Sequence, residues 1–361
     1  MIYYATLIAL FALGFYNVFS DNQKYVSRIF FFSLCWLVLH DGLRWFIATD
    51  WDVYYRFFRY CLLVKGDAVY FEPGYVLLNK IVRTVTDQYT VFLLLHAVIV
   101  YSLIGSTIYK YAAYPLLSLA LLYAMMLGYL GMNRQYIALA ISFYSIRFIF
   151  NRQPYPFIAC MVLSMLFHNG ALLFSIAYFL NRPFKRIVYI VSISLFLAIA
   201  VSGLIRKLPL ELFYLLGSDL GDKADKYAYE GSKAIPLVAQ LMGIAKRMIW
   251  VLIILIYFDA FKKVKYFSLF FNLYFVSLCI YLLFNNTLLQ VIVNRGALPF
   301  NIFEILIVPM TLYVFKDNAT RKIYYLAFFA YGLMTMTKGI NGFIESSGVD
   351  IFNPYRCVLF E

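Results

Sequence analysis

Long apolar runs recur along the whole sequence, and they constrain the fold more than any other feature. Several approach the length of about 20 residues that an α-helix needs to cross a bilayer. Hydrophobic residues make up 64% of the 361 residues and charged residues only 14%, whereas soluble domains carry roughly 25% charged residues. The sequence therefore predicts an all-α, polytopic integral membrane protein.

About twelve hydrophobic segments are candidates for membrane-crossing helices. They lie at residues 2–19, 29–40, 89–109, 113–131, 135–150, 154–168, 170–181, 187–205, 246–261, 266–290, 297–315 and 323–340. The stretch 154–180 fits either two short spans or one re-entrant hairpin, because each half is short for a full crossing. We expect a single transmembrane helical domain over residues 1–361.

Two long polar segments, residues 41–88 and 206–245, interrupt the hydrophobic pattern and are too long to be simple connectors. Their charges balance, with six acids and six bases in the first and five of each in the second. The basic excess behind the net charge of +13 lies in the other set of loops. Because cytoplasmic loops collect Lys and Arg, both termini and both long loops are predicted outside. The charge thus orients the chain, and no nucleic acid partner is predicted.

Charged side chains near the outer ends of the predicted spans are the candidates for chemistry, because charge at membrane depth is costly. Several elements that are distant in sequence each bring such a residue to the same predicted leaflet. They are Arg44, Asp50, Asp52, Glu72, Arg134, His168 and Arg295. Their agreement in predicted depth indicates one site on the outer face.

The arginines of this set suit a phosphate or pyrophosphate ligand. Arg134 and Arg295 each follow an Asn at the predicted outer end of a helix. Either could simply snorkel to the membrane interface, but a guanidinium also grips phosphate oxygens bidentately. If Arg134 and Gln135 open a helix, unpaired backbone N–H groups add to an anion site. Arg44, near the membrane, is a further candidate phosphate contact.

The carboxylates and histidines provide candidates for a general base. Asp50 and Asp52 lie in the first outer loop, and Glu72 precedes a Pro-Gly turn where it could equally be a plain helix cap. His168 lies at a turn between two short apolar runs and suits a base or a donor to phosphate, with a buried core role as the alternative. His96, in the middle of a span, is expected to be a core residue.

The aromatic residues of the first outer loop are candidate sugar contacts. Aromatic residues form 20% of the chain, and most are expected to face lipid or the membrane interface. Trp51 and Tyr54, with Trp45 and Tyr55, could instead stack on the C–H faces of sugar rings.

Common enzyme signatures are absent from the sequence, including GxSxG, HExxH and the Walker A motif. No predicted cytoplasmic loop is large enough to hold a nucleotide-binding domain. The outer carboxylates lack a ligand-like spacing, so neither a metal nor another cofactor is expected. These features favour a substrate that is already activated and carried by a lipid.

An ordered set of short motifs resembles the EpsG-like branch of the Wzy-type polysaccharide polymerases across nearly the whole chain. The motifs are Arg44 with Asp50-Trp51-Asp52 and Tyr54-Tyr55, Glu72-Pro73-Gly74-Tyr75, Asn133-Arg134-Gln135, Phe167-His168-Asn169-Gly170, Asn294-Arg295 and Pro354-Tyr355. The resemblance leaves a GT-C-like helical fold as one interpretation of the architecture.

This resemblance implies an enzyme of the bacterial inner membrane that joins oligosaccharide repeat units carried on undecaprenyl pyrophosphate. The product would be a surface polysaccharide such as O-antigen, capsule or exopolysaccharide, made at the outer face. A hydroxyl attacks the anomeric carbon and lipid pyrophosphate leaves, so positioning and charge stabilisation suffice. Membrane lipid surrounds such an enzyme, and a flippase and a chain-length regulator are implied partners.

The resemblance also implies roles for particular residues. Asp50 matches the position of an acid or base in the first outer loop of related transferases, but Asp52 offers a second carboxylate. Tyr355, in the terminal motif, joins the substrate-binding candidates. Another lipid-linked glycan transferase or ligase, or a polysaccharide transporter or flippase, remains the alternative function.

Overall fold

A computed structural model of the protein describes residues 2–20, 22–48, 50–64, 71–205, 237–287, 289–290 and 292–360. Secondary structure in these ranges is helical, apart from one isolated antiparallel bridge between Arg44 and Cys357. The chain separates into two compact units, which are described individually. Unit 1 comprises Met1–Ser175 and Phe315–Glu361, and unit 2 comprises Ile176–Val314. The single transmembrane domain stays a prediction.

The helices of unit 1 account for most of its described residues. They are α1 (Ile2–Phe19), α2 (Val26–Gly42), α3 (Trp51–Tyr60), α4 (Pro73–Val85), α5 (Tyr89–Tyr111), α6 (Pro115–Met126), α7 (Asn133–Phe150), α8 (Pro154–Met165) and, near the C-terminus, α15 (Asn318–Ser347). A 3-10 helix, Asn169–Leu180, follows α8 and crosses into unit 2.

Unit 2 contains the remaining helices. They are α9 (Arg186–Ser202), α10 (Leu237–Ile256), α11 (Phe258–Phe261), α12 (Phe267–Phe284), α13 (Leu298–Asn301) and α14 (Glu304–Met310), with a π-helix at Ile292–Gly296 and a 3-10 turn at Thr311–Val314. The Tyr189 hydroxyl joins α9 to α12 through a 2.5 Å hydrogen bond to Asn272.

Local sequence explains where several helices begin and end. Pro73, Pro115 and Pro154 occupy the first turns of α4, α6 and α8, where a missing N–H costs nothing. Asp317 caps α15 by accepting a 2.7 Å hydrogen bond from the Thr320 N–H. This bond and a second one from the Thr320 hydroxyl lower the pKa of the Asp317 carboxyl group. Gly348, at φ 72°, ends α15 in the left-handed conformation.

The core of unit 1 is formed by apolar helices that pack closely. α2 packs on α5, α5 on α7, and α7 on α8, while α6 lies between α1 and α15. α15 can approach the segment after α6 because a Cβ on Gly128 would lie only 3.0 Å from the Cα of Gly339. This core carries the loops of the candidate site at the ends of α2, α4, α7 and α8.

Four described helices, α1, α5, α10 and α12, are long and apolar enough to cross a membrane. The segments Ile292–Asn301 and Glu304–Val314, bent by 50°, make a fifth if they form one span. Each of the twelve predicted segments overlaps a helix, but α6, α8 and α9 have 12, 12 and 17 residues. The structure therefore fits an all-helical, multi-pass membrane protein, while twelve crossings and a GT-C-like arrangement stay predictions.

The structure describes most of the first predicted long loop but only the end of the second. The first, residues 41–88, contains α3 and α4, with Thr49 and residues 65–70 outside the described ranges. Of the second, residues 206–236 lie outside the described ranges, whereas the remainder belongs to α10. The last nine residues of the predicted loop are therefore helical, because the apolar stretch that begins at Leu237 forms α10, and the outer location of residues 206–245 stays a prediction.

Candidate functional site

An ion pair between Arg134 and Glu72 forms the centre of the candidate site in unit 1. Arg134 is the second residue of α7, and Glu72 immediately precedes α4. The guanidinium donates from Nη1 to Glu72 Oε2 and from Nε to the Tyr54 hydroxyl at 3.3 Å. Its Cζ lies 4.6 Å from the ring centroid of Phe71. The side chains of Arg134 and Glu72 are 23% and 14% exposed, so both can be reached from solvent.

The turn before α4 fixes the position of Glu72. Its side chain makes no cap hydrogen bond to the helix, so the pairing with Arg134 replaces the plain cap considered above. The N–H of Gly74 donates to the carbonyl of Leu166 at 2.8 Å. A Cβ on Gly74 would lie 2.8 Å from that oxygen, so only glycine permits this approach.

His168 lies in the turn on which the α4 N-terminus packs. It follows Leu166 by two residues, is half-buried, and accepts a 3.1 Å bond from the Gly170 N–H at Nδ1. Gly74 and Leu166 thus bring the predicted Glu72 and His168 segments together. Residues 154–180 form two short helices, α8 and the 3-10 helix after it, and this fits both two short spans and a re-entrant hairpin.

The structure distinguishes the two aspartates of the first loop. Asp50 precedes α3 with φ 52°, is exposed, and its carbonyl accepts a 3.0 Å bond from the Tyr54 N–H. Asp52 is 57% exposed and forms a 2.6 Å ion pair with Arg56, which is 73% exposed. Asp52 therefore belongs to a solvated helix face, whereas Asp50 lies one turn before a residue that contacts Arg134.

The predicted sugar platform of α3 is mostly covered by other aromatic rings. Trp51 is 5% exposed and stacks on Tyr55 with centroids 4.8 Å apart. Tyr54, 4% exposed, packs against Phe71 and contacts Arg134. Burial raises the pKa of Tyr54 despite the nearby guanidinium, so it stays protonated. Phe46 is 53% exposed, and its ring centroid lies 4.2 Å from that of Trp51. Its ring is an accessible aromatic surface that the sequence did not predict.

A second ion pair, between Arg44 and Asp41, lies fully buried beside the first. Their side chains are 1% and 2% exposed. Arg44 also donates from Nη2 to Asn133 Oδ1 at 2.8 Å. Burial lowers the pKa of Arg44. The predicted phosphate contact of Arg44 would require this enclosed pair to open, so its observed contacts are those of a supporting residue.

Asn133 connects the buried pair to the exposed one, because it directly precedes Arg134. Its side chain accepts from Arg44 and donates to the Tyr89 hydroxyl at 3.3 Å. Its carbonyl oxygen lies 2.9 Å from Nε2 of His96. Sequence reasoning found the motif but gave Asn133 no role, and it gave His96 no partner. Polar residues inside otherwise apolar helices are the signal that could have found both.

The C-terminal strap, residues 351–358, holds the segment that carries Arg44. Three backbone hydrogen bonds join the two, from Trp45 N to Arg356 O at 3.0 Å, from Val358 N to Leu43 O at 3.0 Å and from Ala48 N to Ile351 O at 2.9 Å. Tyr355 donates to the carbonyl of His40 at 2.7 Å and stacks on its ring. Burial raises the pKa of Tyr355 to about 12, which keeps this donor protonated. Tyr355, predicted to bind substrate, anchors the strap.

Two further predicted site residues are Gln135, next to Arg134 in unit 1, and Arg295, in unit 2. Gln135 is 7% exposed in the first turn of α7. Arg295 lies in unit 2, where it is exposed and belongs to the π-helix Ile292–Gly296. Asn294, the residue before Arg295, accepts a 3.1 Å hydrogen bond at Oδ1 from the side-chain amide of Gln290. A joint clamp of Arg134 and Arg295 stays a prediction.

The arrangement offers a reachable cation and a reachable carboxylate in contact, with a protonated tyrosine beside them. Such a pair can exchange partners with an anionic group, since phosphate oxygens and carboxylates compete for the same guanidinium fork. Within the described residues, no group of three His, Cys, Asp or Glu side chains is placed to hold a metal ion.

Comparisons with known proteins place the chain in a family. A family model described as the EpsG family matches residues 24–355, which include every predicted site residue. No curated protein and no solved structure matches the chain. The match agrees with the resemblance of the sequence to EpsG-like polysaccharide polymerases and suggests a membrane-bound, glycosyltransferase-like enzyme of polysaccharide biosynthesis. Because it covers nearly the whole length, the chain belongs to the EpsG family.

Proposed function

We propose that the protein is a polymerase that joins undecaprenyl-pyrophosphate-linked oligosaccharide repeat units into a long surface polysaccharide. The observation that carries the proposal is the Arg134–Glu72 pair, because both members are partly exposed and neither is needed as a helix cap. Family membership supports the class of reaction. The lipid donor is inferred from the chemistry of the pair and from the missing nucleotide-binding features.

In this proposal the pyrophosphate of the donor displaces Glu72 from Arg134. A bidentate contact with phosphate oxygens replaces the contact with the carboxylate. The displacement frees Glu72 at the moment when the substrate is in place. Tyr54 keeps the Nε side of the guanidinium fixed through the exchange, so the remaining N–H groups point to one location.

The released carboxylate then accepts a proton from the attacking hydroxyl. The oxygen of the acceptor sugar forms a bond with the anomeric carbon of the donor glycan, and the bond from that carbon to pyrophosphate breaks. The electron pair leaves with the lipid pyrophosphate, whose charge Arg134 stabilises. The proton passes to Glu72, which acts as the general base.

Two other residues remain candidates for the base. Asp50 is exposed one turn before Tyr54, and His168 lies in the turn that packs on the α4 N-terminus. Asp52 is the least suitable, because it is already paired with Arg56 on an exposed helix face. Separate substitution of Glu72, Asp50 and His168 distinguishes them by the size of the loss in rate.

The environment of the reaction follows from the charge distribution. With the basic loops on the cytoplasmic side, the site faces outward from the bacterial inner membrane, where a flippase would deliver the lipid-linked units. A chain-length regulator is the further partner that a polymerase requires to set product size.

The test is deletion of the gene, complementation, and electrophoresis of the surface glycan. Loss of long chains with single repeat units retained on their anchor supports a polymerase. Long chains that persist would contradict it. Chains that stay long but fail to reach the surface would favour a transporter, and the loss of one terminal unit would favour another transferase or a ligase.

A further inference from the structure

Helix α10 of unit 2 carries an arginine that the proposed mechanism does not use. Residues 238–256 of this helix are apolar enough to cross a membrane, yet they include Lys246 and Arg247. Ionisable residues in such helices are costly and usually mark a functional pathway. Arg247 is half-buried, so its charge is only partly solvated within the unit.

The contacts of Arg247 hold its guanidinium in a defined orientation. Its Cζ lies 4.2 Å from the ring centroid of Tyr281 on α12, within cation–π distance. Nη1 donates to the carbonyl of Gly243 at 3.2 Å. The Tyr274 hydroxyl donates to the backbone carbonyl of Arg247 at 3.3 Å. Two tyrosines of α12 thus fix both the backbone and the side chain.

Gly243 makes this arrangement possible. A Cβ at that position would lie 1.8 Å from the hydroxyl oxygen of Tyr281, so any other residue would push the tyrosine away from α10. The ring of Tyr281 is 8% exposed and lies beneath the guanidinium. The close approach of the two helices therefore places an aromatic platform under Arg247.

The charge of Arg247 is not neutralised as the charges of the site arginines are. Arg44 and Arg134 each form an ion pair with a carboxylate. Among the described residues, Arg247 forms none, and its Nε is buried without a hydrogen-bond partner. An aromatic face stabilises a guanidinium from above and leaves the N–H donors in the guanidinium plane available for hydrogen bonds. The donors left for an external anion are those of Nη2, which makes no hydrogen bond within the described part of the chain.

We propose that Arg247 is an anion-binding residue that takes a lipid-borne phosphoryl group, with Tyr281 as its platform. One choice rests on the proposed function, namely that the phosphoryl group is the pyrophosphate of a lipid-linked repeat unit, of which the polymerase takes two. A pyrophosphate engages a guanidinium through two oxygens. The phosphate of a bulk anionic phospholipid has the same chemistry, and the experiment separates the two sources.

The experiment measures lipid binding by the purified full-length protein with native mass spectrometry. The probes are undecaprenyl pyrophosphate and phosphatidylglycerol, each titrated separately. We expect Arg247→Gln to weaken binding of the pyrophosphate lipid by about tenfold or more, the loss of one charge-assisted contact. Arg247→Lys should restore part of the affinity, because it keeps the charge without the fork.

Matched variants separate a local effect from general damage. Lys246→Gln removes the neighbouring charge and should leave binding of the pyrophosphate lipid unchanged. Tyr281→Leu removes the platform and should give an intermediate loss. Each variant must unfold at the temperature of the wild type. Unchanged binding by Arg247→Gln, or an equal loss for phosphatidylglycerol and the pyrophosphate lipid, would overturn the proposal.

The two proposals can fail separately. If wild-type protein binds the pyrophosphate lipid through Arg247 but the deletion strain makes normal long chains, the polymerase proposal fails alone. If deletion abolishes the long chains but Arg247→Gln binds like the wild type, the Arg247 proposal fails alone.

Discussion

The two arginine–carboxylate pairs of unit 1 have the same chemistry but different surroundings. Arg44 and Asp41 are 1% and 2% exposed, whereas Arg134 and Glu72 are 23% and 14% exposed. Asn133 accepts a bond from Arg44 and directly precedes Arg134. Burial, and not residue type, therefore separates the enclosed arginine from the one that solvent or a substrate can reach.

The energetics of the two pairs should differ in the same direction. Breaking a buried pair by removing one member leaves an uncompensated charge, which costs about 3–5 kcal/mol. The partly exposed pair can be broken at lower cost, because water or a substrate anion replaces the lost partner. The buried pair is therefore expected to control stability, and the exposed pair activity.

The largest expected effect is that of Arg44→Met on stability. The substitution leaves Asp41 buried without its cation, so the free energy of unfolding should fall by about 3–5 kcal/mol. Thermal unfolding in detergent and the protein level in membranes measure this loss. The double variant with Asp41→Leu should recover most of the stability. Wild-type stability of the single variant would show that the buried pair is not a support.

Replacing Glu72 by Gln should reduce activity more than stability. The amide keeps the shape but cannot accept the proton of the acceptor hydroxyl, so the rate should fall by about 100-fold or more. Polymerisation of a purified lipid-linked repeat unit measures the rate. Asp50→Asn and His168→Gln, assayed in parallel, should fall less. A larger loss in either would move the role of base to that residue.

A smaller effect is expected from Tyr355→Phe in the C-terminal strap. The variant keeps the stacking on His40 but loses the hydrogen bond to its carbonyl, which is worth about 1 kcal/mol. The thermal midpoint should fall slightly, with activity per folded molecule retained. If activity is lost while the thermal midpoint is unchanged, Tyr355 contacts substrate as the sequence predicted.

The smallest effect is expected from Asp52→Asn. Its exposed pair with Arg56 contributes about 0–1 kcal/mol, and the glycan should keep its normal length distribution. Measurement of both quantities checks whether Asp52 is outside the site. A shortened glycan at normal protein level would return Asp52 to the catalytic candidates.

The sequence predicted the helical membrane architecture and the turns that carry Glu72 and His168, because both depend on local patterns. Apolar runs predicted the helices, and the Pro-Gly turn and the Asn-Gly turn marked the positions of Glu72 and His168. The exposed face of α3 is also a local feature, and Arg56 on that face is 73% exposed. Asp52 lies on that face, at the i,i+4 spacing from Arg56.

The layering of the site could not be predicted, because it depends on contacts between distant segments. Arg44 and Asn133 are separated by 89 positions, and Tyr355 and His40 by 315. Depth decides whether an arginine supports or binds, and no local pattern distinguishes Arg44 from Arg134. Likewise, the burial of Trp51 by Tyr55 and Phe46 depends on the path of the loop, so the sequence alone could not show that this predicted sugar contact is covered.

The most direct test of the proposed site is the glycan made by a deletion strain that carries Arg134→Gln at the wild-type protein level. Arg56→Gln, which breaks the exposed pair with Asp52, is the matched control. We predict that Arg134→Gln yields single repeat units without long chains, whereas Arg56→Gln yields the normal distribution. Normal long chains from Arg134→Gln would contradict the role of the Arg134–Glu72 pair in polymerisation.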